Sequence, residues 1–99
     1  MFRVLVTGGT GMVGKHLKKV MPNAIFVGSA DCDLTDITQV RRIMSSCAPR
    51  TVVHLAAKVG GIQDNIDKAA EYYDDNIIMN TNIVKVCREY DVKRLTGVL

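Results

Sequence analysis

Apolar residues in this chain come in short runs, separated by stretches with helical spacing. Val4-Leu5-Val6 is such a run and predicts a strand over residues 3–7, closed by the turn signals Gly8-Gly9-Thr10-Gly11. The period then changes. Val13, Leu17 and Val20 fall on one face of a helix over 12–20, with Lys15, Lys18 and Lys19 away from it. Pro22-Asn23 stops that helix, and residues 24–27 predict a second strand. After a connector at 31–35, Asp36-x-x-Gln39 has the form of a capping box. Ile37, Val40, Ile43, Met44 and Cys47 make the apolar stripe of the helix it opens, and Pro49 ends it. Residues 51–55 predict a third strand, and Gly60-Gly61 marks a loop. A long helix is predicted over 69–90. Tyr73, Ile77, Val84 and Cys87 stand at helical spacing there, with Ile83, Val86 and Tyr90 alongside. Residues 94–99 predict a buried fourth strand.

Apolar strands alternating with helices imply an α/β fold with a parallel sheet covered on both faces. Right-handed crossovers then give a partial doubly wound layer, with strands in the spatial order second, first, third, fourth. No internal repeat or linker divides the 99 residues, which are expected to form one unit. Composition narrows the function classes. The 47% hydrophobic and 23% charged content is that of a globular domain, not a disordered segment. No apolar run approaches the roughly 18 residues of a membrane span, and no signal-peptide pattern opens the chain. The net charge of +3 is spread over scattered basic pairs such as Lys18-Lys19, so no nucleic-acid surface is expected. Cys32, Cys47 and Cys87 are widely spaced and odd in number. They suit reduced thiols and a cytoplasmic location better than disulfides or a metal site.

The most informative segment is Thr7-Gly8-Gly9-Thr10-Gly11-Met12-Val13-Gly14, where the first strand turns into the first helix. Gly8, Gly11 and Gly14 stand three apart. The first permits the tight turn, the second lets backbone approach a pyrophosphate, and the third allows the helix to pack on the strand. Free N–H groups at the helix start then meet the anion. Because the strand before and the helix after are independently legible, the motif reads as a dinucleotide-binding fingerprint.

This Gly-x-x-Gly-x-x-Gly spacing resembles that of the extended short-chain dehydrogenase/reductases. Three further stretches narrow the resemblance. Asp33-Leu34-Thr35-Asp36 resembles the adenine-contacting segment, and Val53-His54-Leu55-Ala56-Ala57 the strand that ends beside the cofactor's ribose and pyrophosphate. Ala56-Ala57-Lys58-Val59-Gly60-Gly61-Ile62, followed by Asn65 and the helix through Asn76 to Ile83, resembles the GDP-L-fucose synthases within that family.

The resemblance implies an N-terminal part of an NAD(P)-binding Rossmann domain. It also implies NADPH-dependent epimerisation and reduction of a GDP-4-keto-6-deoxy sugar, and a homodimer. Its implied cofactor-binding residues are Gly8, Gly9, Thr10, Gly11, Met12, Val13, Gly14, Ser29, Asp33, Leu34, Leu55, Ala56, Ala57 and Lys58. The family's Tyr-x-x-x-Lys pair is not matched here. Tyr72, Tyr73 and Tyr90 are followed four residues on by Asn76, Ile77 and Arg94. The catalytic residues are therefore expected beyond Leu99, and the chain is expected to be an N-terminal fragment, inactive by itself. Alternative readings are a non-catalytic dinucleotide-binding remnant, or a fragment of another nucleotide-sugar epimerase or dehydratase.

Several residues carry more than one reading. His54 is expected to be a packed core histidine, His16 exposed and Cys87 a core thiol. Lys58 stands at a strand's C-terminal end, where it could meet a phosphate or point to solvent. Asn76 resembles a helix asparagine that supports the catalytic lysine through water; the competing reading is a helix-face contact. No carboxylate stands at the immediate end of the second strand, where Gly28-Ser29-Ala30 leaves room for a 2′-phosphate. Neither Thr10 nor Ala30 is basic, so NADP rests on the resemblance.

Overall fold

A computed structural model describes residues 3–57 and 66–97. The elements run β1 (Val4–Thr7), α1 (Met12–Val20), β2 (Ile25–Val27), α2 (Ile37–Cys47), β3 (Thr51–His54), α3 (Ile66–Glu89) and β4 (Arg94–Gly97). All strand pairs are parallel, and the sheet order is β2-β1-β3-β4, as the alternation predicts. The chain steps from β1 to β2 in one direction and from β2 across β1 to β3 in the other. With right-handed crossovers, α1 lies on one face of the sheet, and α2 and α3 on the other.

The core sits under α2 and α3. Leu5 and Val52 from the sheet meet Val40 and Met44 of α2 and Ile83 and Val86 of α3, all fully buried. Asp36 caps α2: its carboxylate accepts from Thr38 N at 3.0 Å. The reciprocal arm of the predicted box is redirected. Gln39 reaches back past the cap to accept from Asp33 N at 2.9 Å, which ties the β2–α2 connector to the helix. Ala48 ends α2 in the left-handed region at φ 45°.

Three expectations are corrected. The α1 stripe is not a core face: Val13 and Val20 are exposed, and only Gly14 of that helix is buried. Among the described residues α1 is the only helix on its face of the sheet, and its one buried residue is a glycine. The α3 stripe is corrected in part: Ile83, Val86 and Cys87 are buried as expected, but its other members are not. Tyr73, Ile77 and Val84 are exposed, while Met79, Ile83, Val86 and Cys87 face the core. α3 is apolar on two sides, and the spacing of Tyr73, Ile77 and Val84 fits a helix equally well on the outer one. Finally, β4 is a strand but not a buried one; Leu95 is half-buried and its neighbours are exposed. Among the described residues it is one edge of the sheet, paired on one side by β3.

Candidate functional site

The C-terminal ends of β1, β2 and β3 open onto a cavity of about 450 Å³. This is the topological switch point, where the two directions of chain winding leave a crevice above the strands. The glycine turn forms its floor. Gly8 takes φ +71°, and a Cβ placed there would lie 2.7 Å from Ala56 N and 2.8 Å from Leu55 C. Glycine is thus required twice: for the left-handed turn and for the contact between the loop and the end of β3. Gly14 closes the other side. Its Cβ would stand 2.7 Å from Gly8 O and Gly9 Cα. The helix therefore packs on the turn itself, not on the strand. Gly11 is different: it faces the cavity, and a Cβ there would meet only Gly8 O, at 3.3 Å. It is the N-cap of α1 and no side chain caps the helix, so the first N–H groups of α1 have no capping acceptor.

Of the sequence-predicted residues, Gly8, Thr10, Gly11, Ser29, Asp33, Leu34, Leu55, Ala56 and Ala57 line the cavity together. Gly9, Met12, Val13 and Gly14 do not. Gly9 lies against Phe26 and donates its N–H to Val27 O at 2.9 Å, while Met12 and Val13 are exposed at the helix start. Lys58 and the 59–62 stretch lie outside the described residues. Sequence reasoning missed Val27, Gly28, Cys32 and Met79, which complete the wall. Met79 carried a signal, since it shares the helix face of Ile83 and Val86.

The segment from Asp33 to Thr35 is held by its own side chains and by α3. Asp33 Oδ1 accepts from Thr35 N at 3.0 Å and Thr35 Oγ1 at 2.6 Å. Asn82 of α3 donates to Leu34 O at 2.9 Å, a buried bond. Asp31 turns its carboxylate onto Gly28 N at 2.8 Å, so that group is occupied by the turn after β2, and Ser29 lines the cavity beside it. Cys32 is buried in the wall, and burial pushes its thiol pKa up, with Asp33 adding to the effect. It is a packing thiol, not a nucleophile.

Behind the cavity lies a buried polar chain that sequence reasoning saw only in part. His54 is buried, as expected of a core histidine. Its Nδ1 is 2.6 Å from Thr7 Oγ1, and its Nε2 is 2.8 Å from Asn80 Oδ1. Desolvation holds the imidazole pKa below its ordinary value, so it is neutral at pH 7. Asn76, singled out in the sequence, is half-buried; it is Asn80, one turn on, that reaches the histidine.

A glycine turn, an uncapped helix start and a crevice at a switch point define a nucleotide-binding α/β domain. A model of the NAD dependent epimerase/dehydratase family matches residues 4–98, and the chain belongs to that family. Among its relatives are a GDP-L-fucose synthase of Dictyostelium discoideum, 36% identical over 97% of this chain, and a probable GDP-L-fucose synthase of Drosophila melanogaster, 34% identical over all of it. The fold superposes on a GDP-L-fucose synthetase from Naegleria fowleri bound to NADP with a TM-score of 0.80, at 35% identity over 99% of this chain. The chain spans about a third of the length of each of these proteins: 32%, 33% and 30%. No group of three or more potential metal ligands occurs among the described residues. Nor is any described helix long and apolar enough to cross a membrane.

Proposed function

We propose that the cavity binds NADP and that the chain is the cofactor-holding part of a cytoplasmic GDP-L-fucose synthase. That enzyme epimerises and reduces GDP-4-keto-6-deoxy-mannose. The observation that carries this reading is the uncapped start of α1 above Gly11, facing a cavity whose floor is the glycine turn. It supplies N–H donors and the positive end of a helix dipole to a pyrophosphate, with no side chain in the way. Gly9, Met12, Val13 and Gly14 contribute turn and helix backbone. The adenine end would rest along Asp33 and Leu34, and the ribose and pyrophosphate along Leu55, Ala56 and Ala57, which Lys58 follows in the sequence. Ser29 is small and Asp31 is engaged at Gly28, which suits a 2′-phosphate better than a free carboxylate would. When bound, NADPH supplies hydride to the sugar's keto carbon; this chain's residues orient it and exclude water.

The homodimer of the family is part of the same proposal. Tyr73, Ile77 and Val84 leave an apolar stripe exposed on α3, which suits a helix-to-helix contact with a second copy. Fluorescence titration with NADPH tests the cofactor reading. Gly11→Val should weaken binding by about tenfold or more, since its branches would occupy the path of the pyrophosphate. Unchanged affinity overturns the assignment.

A further inference from the structure

The three side chains behind the cavity form a continuous run of hydrogen bonds. Thr7 engages two successive groups of β3's end. Its carbonyl accepts from Leu55 N at 3.1 Å, and its hydroxyl from Ala56 N at 3.4 Å. An amide N–H can only donate, so the Thr7 oxygen accepts there; it is the Asn80 oxygen facing Nε2, an acceptor only, that leaves Nδ1 to take the Thr7 hydroxyl proton. An Nδ1 that accepts leaves the imidazole proton on Nε2, where Asn80 Oδ1 accepts it. Each link carries one proton, all in the same direction, from the cavity wall to α3. Ala56 is both the terminus of this run and the residue against which Gly8 makes its backbone contact.

We infer that Thr7, His54 and Asn80 act as a positioning relay that sets the spacing between the glycine turn and the facing wall at Leu55-Ala56, and thereby the affinity for the dinucleotide. The inference rests on the NADP reading of the cavity. None of the three residues lines the cavity, so none is a ligand; each acts through the Ala56 backbone. α3 thus contributes to the site from a distance, through Asn80, without a side chain of the relay touching the cofactor. Thr7 is isosteric with Val, and removing the hydroxyl strands both Ala56 N–H and His54 Nδ1 without changing the volume. Asn80 can be shortened to Ala at a half-buried position, which releases the far end alone.

The test is NADPH titration of the full chain, read beside its thermal midpoint. Thr7→Val should raise Kd about tenfold and Asn80→Ala about threefold, with Thr7→Ser restoring wild-type affinity. A merely structural role would lower the midpoint in these variants and leave Kd of the folded protein unmoved, which overturns the relay. A wild-type protein that fails to bind NADPH overturns the cofactor reading itself, and the relay with it. Should Thr7→Val fail to fold, ¹⁵N NMR of wild-type His54 decides. A neutral ring protonated at Nε2 supports the relay, and one protonated at Nδ1 overturns it.

Discussion

Individual residues in the site are held by constraints of different kinds, and each constraint has its own signature. Gly8→Ala forces an L side chain to φ +71° and into Ala56 N; the expected loss is about 2 kcal/mol or more, read by urea denaturation. Gly11→Ala meets one atom, the Gly8 carbonyl oxygen at 3.3 Å, at normal φ; it should cost less stability than Gly8→Ala while still crowding the cavity. His54 gives a pH signature. Its folded pKa lies below the ordinary 6.5 because burial opposes the charged ring. The unfolded chain therefore binds the proton first, and the histidine's share of stability is complete above about pH 6.5 and lost as pH falls towards the folded pKa. A thermal midpoint that declines below pH 6.5, with the slope diminished in His54→Gln, is the expected result. A midpoint independent of pH there would show that the ring is not desolvated as described.

At the scale of elements, α3 has two faces of opposite character. Ile83 is fully buried between the sheet and α2, and Ile83→Ala should cost about 2–5 kcal/mol in urea denaturation. Ile77, six residues earlier and 46% exposed, should cost no more than about 0.5 kcal/mol in an isolated chain. An equal cost at both positions would mean that the outer stripe is covered in solution. The same helix fastens the site twice, through Asn82 at Leu34 O and through Asn80 at His54. By contrast, the exposed Arg41–Glu89 pair joins α2 and α3 with two bonds of 3.0 and 2.9 Å, and Glu89→Gln should leave the thermal midpoint almost unmoved.

At the scale of the whole molecule, one sheet face carries nearly all the buried apolar mass among the described residues, and all three cysteines lie in it. Cys32, Cys47 and Cys87 are free and buried; desolvation pushes Cys87 up to about 11 and raises the other two. At pH 8 an aromatic disulfide reagent should therefore label the native protein slowly and the urea-unfolded protein at every cysteine. Rapid native labelling would indicate that the face opens readily.

Much of this architecture was legible in the chain because its signals are local. Strand runs, the period of α2, the breaks at Pro22 and Pro49, and the glycines between β1 and α1 depend on backbone propensity and turn sterics, which act within a few residues. With the crossover rule they determine the strand order and the place of the crevice. What the sequence left open depends on what stands opposite. Whether Tyr73 or Ile83 faces inward is decided by the sheet and α2, because α3 has apolar residues on both sides. The exposure of Val13, Val20 and β4 follows from which faces the folded chain covers. The Thr7–His54–Asn80 chain joins residues 47 and 26 positions apart, so no spacing rule announces it. A lone histidine in an apolar strand signalled that partners must exist; only the tertiary structure could say which, because buried polar groups take whatever donor or acceptor the packing brings within reach.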